Sequence, residues 1–547
     1  MQGILAARID RLPAAEKELL QTLAVIGKDF PLALVREITK KPDDDLNKML
    51  SDLQLAEFIY EQPAVGDVEY TFKHALTHDV AYNSVLIERR KLLHERIGSA
   101  MEASFPQSID DHLSQLAYHY GRSANVRKAL DYLLLAGRQA HQRLAHGEAI
   151  AHLNAALQLL KSLPEDDEHR REEASLQITF AEAAAAARGL ADDEMGAAFA
   201  RARDLCTQLG ETRRTFRVLL GLRFFYNFKS QWQKDLETSQ QLVALAEREP
   251  SPARLLWANS ALGESLEYQG RHRDARAHLE KAVALIPAIA EYSVFPVADP
   301  RITALDVLGE ILWCLGFPDQ ALERCREALT LARKLGRPFP LCSAYSGVCT
   351  VYRDRGEVSA LEEAANEMSM LADEHGFELY REEGTYWRAW CLVKKGSVEE
   401  GLNEVQRSLA ARRAMGLAGG GALFDVFEAY RKLRRFDEAL ALLDQTTWTP
   451  RFSSAVKRVR GELQLEAGRC TEREAEDLFR DAIRIARSEE ARSFELLATI
   501  SLARLLAKQG HRDEARAMLA EIYGWFTEGF DTADLKDAKA LLDELSA

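Results

Sequence analysis

A chain of 547 residues that is 47% hydrophobic and 29% charged has ample apolar content to fold, but is far too long for one compact core. Its formal charge of -14 opposes general attraction to nucleic acid or anionic lipid, and no stretch approaches the roughly 20 apolar residues of a membrane span. The opening MQGILAARIDRLP lacks the apolar run of a secretory signal, and the seven cysteines are scattered without a CxxC pair. Free thiols in a cytoplasmic protein are therefore expected.

The N-terminal segment, from about Leu12 to Phe105, carries no repeat. EKELLQTLAVIG reads as an amphipathic helix ending at Gly27, LALVREI as a short second helix, and DDDLNKMLSDLQLA as a third, opened by acids that favour a helix N-terminus. FIYEQ and VEYTFK then alternate apolar and polar residues around Gly66, the mark of a two-stranded ribbon. Three helices followed by a hairpin is the winged-helix order. A groove-reading third helix needs lysine or arginine against phosphate. This one offers Asp43, Asp44, Asp45 and Asp52 against Lys48, so no nucleic-acid partner is expected and a DNA-binding regulator is the weakest reading. His74 and His78 lie four apart with Asp79 adjacent, but a third ligand and the glutamate of HExxH are missing, so no metal is expected. Arg89, Arg90, Lys91 and Arg96 read as a solvated face paired with Glu88 and Glu95.

Beyond residue 105 one phrase recurs: an apolar helix end, a glycine, then a second helix opened by charges and a small residue. It reads LEYQGRHRDARAHLEKAVAL, LWCLGFPDQALERCREALTL, LVKKGSVEEGLNEVQRSL and LAKQGHRDEARAMLAEI. The turn glycines Gly270, Gly316, Gly356 and Gly396 are spaced by 46, 40 and 40 residues, and Gly468 and Gly510 by 42. The first interval includes an insert, Ile286–Pro300. These spacings exceed the roughly 34 residues of a standard tetratricopeptide unit, so each helix gains up to a turn. Small residues stand five positions after the glycine (Ala275, Ala321, Gly401, Ala515) and seven further on (Ala282, Ala328, Ser408), where paired helices must approach closely. Ile522 breaks the pattern in the last unit, as suits a terminal repeat.

Weaker hairpins thread upstream, one with Gly147 at its turn, to give about ten in all. Pro164–Glu173 reads as a solvated link. Ala418–Ala422 (AGGGA) reads as a flexible turn; a phosphate cradle would be followed by Lys-Ser/Thr. The predicted fold is thus mainly α: a winged-helix-like domain over 1–105, a tetratricopeptide-like α-solenoid over 106–530 and a capping helix over 531–547. Tyr523, Trp525, Phe526 and Phe530 would seal the last hairpin, with Asp531 or Thr532 capping the final helix.

Solenoids present surfaces more often than they perform chemistry. First helices of such hairpins line the concave face, which makes Arg223, Tyr226, Tyr268, Tyr352, Arg353, Tyr386 and Arg388 the candidate binding residues there. Most aromatic rings in such arrays fill gaps between helices instead.

LAARIDRLPAAEKELLQTLAVIGKDF, YTFKHALTHDVAYNSVLIERRKLLHERIGSAME and the closing ELLATISLARLLAKQGHRDEARAMLAEIYGWFTEGFDTADLKDAKALLDEL resemble bacterial STAND-type signalling proteins. In that family a class III adenylate/guanylate cyclase domain often precedes an ATPase, a winged helix and a long tetratricopeptide superhelix. The likeness lies with the part that follows the ATPase. It implies that an ATPase or cyclase module acts in cis or in trans, and that His74, in FKHAL, contacts a bound nucleotide's phosphate; a structural histidine capping the wing is the other reading of that residue. This chain has no G-x-x-x-x-G-K-[ST] loop and no recognisable cyclase domain. The expectation is a regulatory sensor or scaffold that is not an enzyme and carries no cofactor, taking a protein segment or small-molecule effector. The alternative is a subunit or fragment of a cyclase or STAND ATPase whose catalytic parts lie elsewhere.

Overall fold

The structure, a computed structural model, describes residues 2–63, 68–289, 299–415 and 424–547. The ribbon turn at Gly66, the glycine run Ala418–Ala422 and most of the insert Ile286–Pro300 lie outside the described residues. What is described holds 28 α-helices and three short strands, a mainly α chain. It forms two units, residues 1–188 with 197–210, and residues 189–196 with 211–547.

The first unit opens with two helices (α1, Gln2–Asp10, and α2, Ala14–Ile26), then a strand (β1, Asp29–Pro31), a helix (α3, Leu32–Thr39), a helix (α4, Asp43–Leu55), β2 (Ile59–Pro63) and β3 (Val68–Phe72). The strands form one antiparallel sheet in the order β1-β3-β2, with Phe30 opposite Tyr70 and Tyr60 opposite Thr71. Strand β1 is absent from the sequence reading. Its three residues, DFP, are too few to show alternation, and only pairing with β3 makes them a strand. Lys40, in the left-handed region at φ 48°, ends α3, and three aspartates meet the positive end of α4. Leu20, Leu23, Phe30, Val35, Leu46 and Phe72 close the core.

Helix α6 (Ile87–Ser104) joins this core through Ile97, and α7 (Leu113–Tyr120) through the fully buried Tyr120. A Cβ on Gly98 would lie 2.7 Å from the Tyr120 ring, so the two helices approach closely only because that residue is glycine. Helices α8 (Val126–Gln142) and α9 (His146–Leu160) form the first hairpin. Its turn is at Leu144, with φ 63°; Gly147 sits in the first turn of α9 and does not make the turn expected of it. The link expected at Pro164–Glu173 is mostly helix: α10 begins at Asp167, its acids in the first turn where the helix dipole favours them.

In the second unit α12 (Thr212–Phe228) through α27 (Arg512–Tyr523) pair in chain order as eight helical hairpins, a tetratricopeptide-like α-solenoid. Ala275, Ala282, Ala321, Ala328, Ser408 and Ala515 have no exposed surface, which places each at a helix–helix contact. The turn glycines adopt left-handed backbone, from φ 63° at Gly336 to 102° at Gly396, a region in which a Cβ is strained. Ser230, Arg434 and Glu490 take the same conformation at φ 56° without being glycine. Arg434 therefore makes a turn between Gly396 and Gly468 that a glycine alignment passes over. Helix α28 (Ala533–Ser546) covers the last hairpin through Leu535, Ala538 and Leu541. Thr532 stands at its N-cap position but makes no side-chain capping bond. Among the described residues no helix is long and apolar enough to cross a membrane.

Candidate functional site

The first helices of successive hairpins in the second unit face a common interior. Helices α16 (Pro300–Cys314), α18 (Pro338–Arg355), α20 (Glu378–Lys395), α22 (Phe424–Lys432), α24 (Ser453–Glu466), α26 (Arg492–Lys508) and α28 line a cavity of about 830 Å³. Its apolar wall is built from Trp313, Trp390, Phe427, Phe452 and Phe494. Phe452 stands 6.4 Å from Phe494, and Trp313 meets Phe494 edge-on at 5.4 Å, so these three rings pack on one another.

The rest of the lining is charged, and most of it is paired. Arg431 reaches Glu462 at 2.8 Å and also contacts Glu466, while Arg458 reaches Glu462 at 2.8 Å. Lys394 contacts Glu428, and Arg504 contacts Asp537 at 2.5 Å. Burial works to raise the Glu462 carboxyl, yet Arg458 and Arg431 hold it below the ordinary carboxylate range. Glu428 is likewise held down by Lys394 and Lys432 against the cost of burial. Asp534 differs: burial pushes it up to about 6, Arg458 and Lys394 offset only part of this, and it has no ion-pair partner among the described residues. An aromatic wall beside a preformed network of paired charges offers a ligand both stacking surface and fixed polar contacts. The Ser501 hydroxyl donates to Glu462 at 2.5 Å within this lining, and no metal-holding cluster occurs among the described residues.

Of the residues picked from sequence, only Arg353 lines this cavity. It hydrogen-bonds Asp354 at 2.8 Å and lies 5.6 Å over the Trp387 ring. Arg223 is 2% exposed, with Asp235 at 3.1 Å and Glu264 at 2.5 Å; its charge is met inside the protein rather than offered to a ligand. Tyr386 is fully buried against Trp387, a core ring and not a surface one. Tyr268 packs 4.9 Å from Trp232 and donates to Glu264, and Tyr226 lies under Lys234 at 5.5 Å. Tyr352 carries Arg326 at 5.9 Å over its ring, and Arg388 donates to Ser369 and Thr385. His74 is exposed in the first unit, directly before α5 (Ala75–Asn83), where its carbonyl accepts the Thr77 amide.

Several other cavity residues share a signal. They stand two, three or six places before the left-handed turn residue: Trp390 and Lys394 before Gly396, Arg431 and Lys432 before Arg434, Arg504 and Lys508 before Gly510. That spacing selects one face of the last turns of each first helix. Aromatic clustering, the criterion behind the tyrosine candidates, selects helix–helix contacts instead.

No family model matches the chain. A curated relative from Rhizobium meliloti (strain 1021), named Uncharacterized protein R02095, is 22% identical over 526 residues, covering 92% of this chain and 50% of that protein. The chain thus spans about half the length of the curated relative it matches. Among solved structures it is similar to the apo form of RapI (14% identity, TM-score 0.41, 52% of this chain and 97% of the other). It is also similar to the apo quorum sensor NprR from B. thuringiensis (13% identity, TM-score 0.40, 70% and 95%). A third is the STAND protein with a tetratricopeptide repeat sensor from Pyrococcus horikoshii (13% identity, TM-score 0.31, 98% and 65%).

Proposed function

We propose that this chain is the sensing part of a signal-transduction protein, and that the cavity of the second unit takes a protein segment or small-molecule effector. The observation that carries the reading is the cavity itself: about 830 Å³, walled by aromatic rings and by charges already held in place by one another. Preorganised walls of this kind spare a ligand the cost of ordering its own site. Binding transmits a signal only if the effector has unequal affinity for two arrangements of the array. The recipient is a nucleotide-dependent module of the STAND ATPase or cyclase type, in cis or in trans, and the first unit, read as a winged helix with His74 on its surface, is the element that relays to it. That the chain spans half of its relative supports a module beyond these residues. The acidic first turn of α4 speaks against DNA as the partner.

Trp313 and Trp390 line the cavity, so tryptophan emission reports its occupation. A panel of random octapeptides and of common nucleotides and metabolites is titrated against the purified chain. Compounds that shift the emission should lose at least tenfold in affinity in Arg458→Ala and in Phe427→Ala, and keep it in Met370→Ala, an exposed residue that is not part of the wall. The reading fails if nothing in the panel shifts the emission at millimolar concentration, or if the hits ignore both wall substitutions.

A further inference from the structure

The turn glycines of the second unit are not equivalent. All of them need left-handed backbone, but Gly336, Gly376, Gly396, Gly468 and Gly510 have open space where a Cβ would stand. Three others are met by residues far along the chain. A Cβ on Gly270 would lie 3.0 Å from Glu489, one on Gly316 2.5 Å from the Trp525 ring, and one on Gly356 2.6 Å from Ala533. Successive turns of the array, after α14 (Pro252–Tyr268), α16 (Pro300–Cys314) and α18, thus abut successive pieces of its C-terminal end. The second unit closes on itself along a seam.

Polar contacts hold this seam, and they centre on Gly524–Thr532. The Glu528 carboxylate accepts the backbone amides of Asp319 and Gln320 at 2.9 and 3.1 Å, and the Gln320 side-chain amide at 3.0 Å. It thereby caps the N-terminus of α17 (Pro318–Leu335) from more than 200 residues away, where the free amides and the helix dipole favour an anion. The Gly529 amide returns a bond to Asp319 at 3.0 Å. Arg355, 5% exposed, gathers Asp319, Glu357 and Asp531 at 2.6, 2.5 and 3.1 Å. Ser493 donates to the Trp313 carbonyl at 2.5 Å, and Trp525 packs 5.6 Å from Phe317. Trp525 is therefore a seam residue, not simply a seal on its own hairpin.

We propose that Gly524–Thr532 is a clasp: it joins the end of the array to the turns after α16 and α18, and it opens as a unit while the hairpins on either side stay folded. The hairpins are bound to their neighbours by buried alanine and leucine layers, whereas the clasp adds ion pairs and hydrogen bonds, among them those that the exposed carboxylates of Asp319 and Asp531 make to the buried Arg355. Ionic contacts of that kind weaken as salt shortens the reach of charge, and apolar layers do not. Arg353, Trp390, Arg458 and Asp534 belong to helices drawn together by the closed seam, so clasp state sets how the cavity is enclosed. This last step rests on the effector reading above; the opening itself does not.

Cys314 reports the seam without any ligand. Its thiol has no exposed surface and sits at the end of α16 next to Trp313, whose carbonyl accepts from Ser493 across the seam. Labelling by N-ethylmaleimide is followed for each cysteine by peptide mass spectrometry. Gly316→Ala and Gly396→Ala impose the same left-handed strain, φ 92° and 102°, but only the first thrusts a methyl into the seam. Gly316→Ala should raise the Cys314 rate at least tenfold over wild type and leave Cys342 and Cys349, both in α18, protected; Gly396→Ala should leave all three as they are. Glu528→Ala should act like Gly316→Ala, and 1 M sodium chloride should accelerate Cys314 in the unaltered chain. Equal Cys314 rates in Gly316→Ala and Gly396→Ala overturn the clasp, as does a joint rise of all three thiols. If Gly316→Ala loses helical circular dichroism, Glu528→Ala and the salt series decide by the same criterion. Failure of the effector reading would show as absent binding and leave these rates untouched.

Discussion

Two imidazoles in the first unit are buried side by side. His94 and His119 meet Nδ1 to Nδ1 at 3.0 Å, and the other His94 nitrogen faces the Tyr82 hydroxyl at 3.1 Å. Such a contact needs one ring to donate and the other to accept, so the pair cannot be doubly protonated without losing it. Burial first, then the Arg122 and Arg90 charges, brings His94 down to about 4; burial, His94 and Arg122 bring His119 down to about 3. Both folded values lie below the unfolded value of 6.5, so the unfolded chain binds protons more readily as the pH falls. Stability from this pair is complete above about pH 6.5 and is lost progressively from there towards pH 3. The urea midpoint of the first unit should therefore drop between pH 7 and pH 5, and drop visibly less in His94→Gln/His119→Gln. An equal drop in both proteins would show that the pair does not drive the loss.

At the scale of elements, close helix approach is fixed at single positions. A Cβ on Gly263 would stand 2.5 Å from the Leu279 Cγ of the paired α15 (His272–Leu285), and one on Gly309 2.5 Å from the Cys325 sulfur and 3.0 Å from the Ala321 carbonyl. A backbone oxygen yields less readily than a side-chain tip, so Gly309 tolerates less. Ala321→Leu adds three carbons at a position with no exposed surface and should cost about 1–3 kcal/mol through overpacking. Arg324→Leu, one helical turn away and partly exposed, should change little. Denaturant midpoints of the two variants check this, and equal shifts would refute it.

The contact at Ala321 was legible in sequence because a small residue at fixed distance from a turn glycine has one packing consequence. The hairpin phase, the solenoid class and the helices of the first unit follow from that kind of local regularity. Strand β1 was not legible, because its only cause is a partner more than 30 residues on. The turn at Arg434 was hidden because a left-handed conformation imposed by packing leaves no glycine to read. Of the candidate residues, only Arg353 falls in the cavity lining. Tyr386 and Arg223 were chosen for chemistry that suits a ligand, and the same chemistry suits a buried ring and a buried ion pair. Whether a side chain faces the interior or its neighbour helix depends on phase against the turn, and the turn residue itself was not always visible.

At the scale of the whole molecule, the division into two units predicts how it unfolds. Each unit carries its own core, one around Leu20, Phe30 and Leu50, another running through the hairpins around Leu312, Val348 and Trp390. Domains with separate cores melt separately unless the interface between them dominates, and a repeat array couples each hairpin chiefly to its neighbours. Calorimetry should show two transitions, and two changes should sort them. Lowering the pH from 7 to 5 charges the histidine pair on unfolding and should move the first unit's transition down. Arg223→Ala strands Asp235, whose carboxyl burial already pushes up to about 6, and Glu264 in the second unit. Breaking a buried pair on one side costs about 3–5 kcal/mol, because the remaining charge stays buried without its partner. Arg223→Ala at pH 7 should therefore lower the other transition and leave the first in place. A single transition that both changes move equally would mean that the two cores fold as one cooperative body, and that a signal reaching the second unit is felt in the first as unfolding free energy shared across the chain.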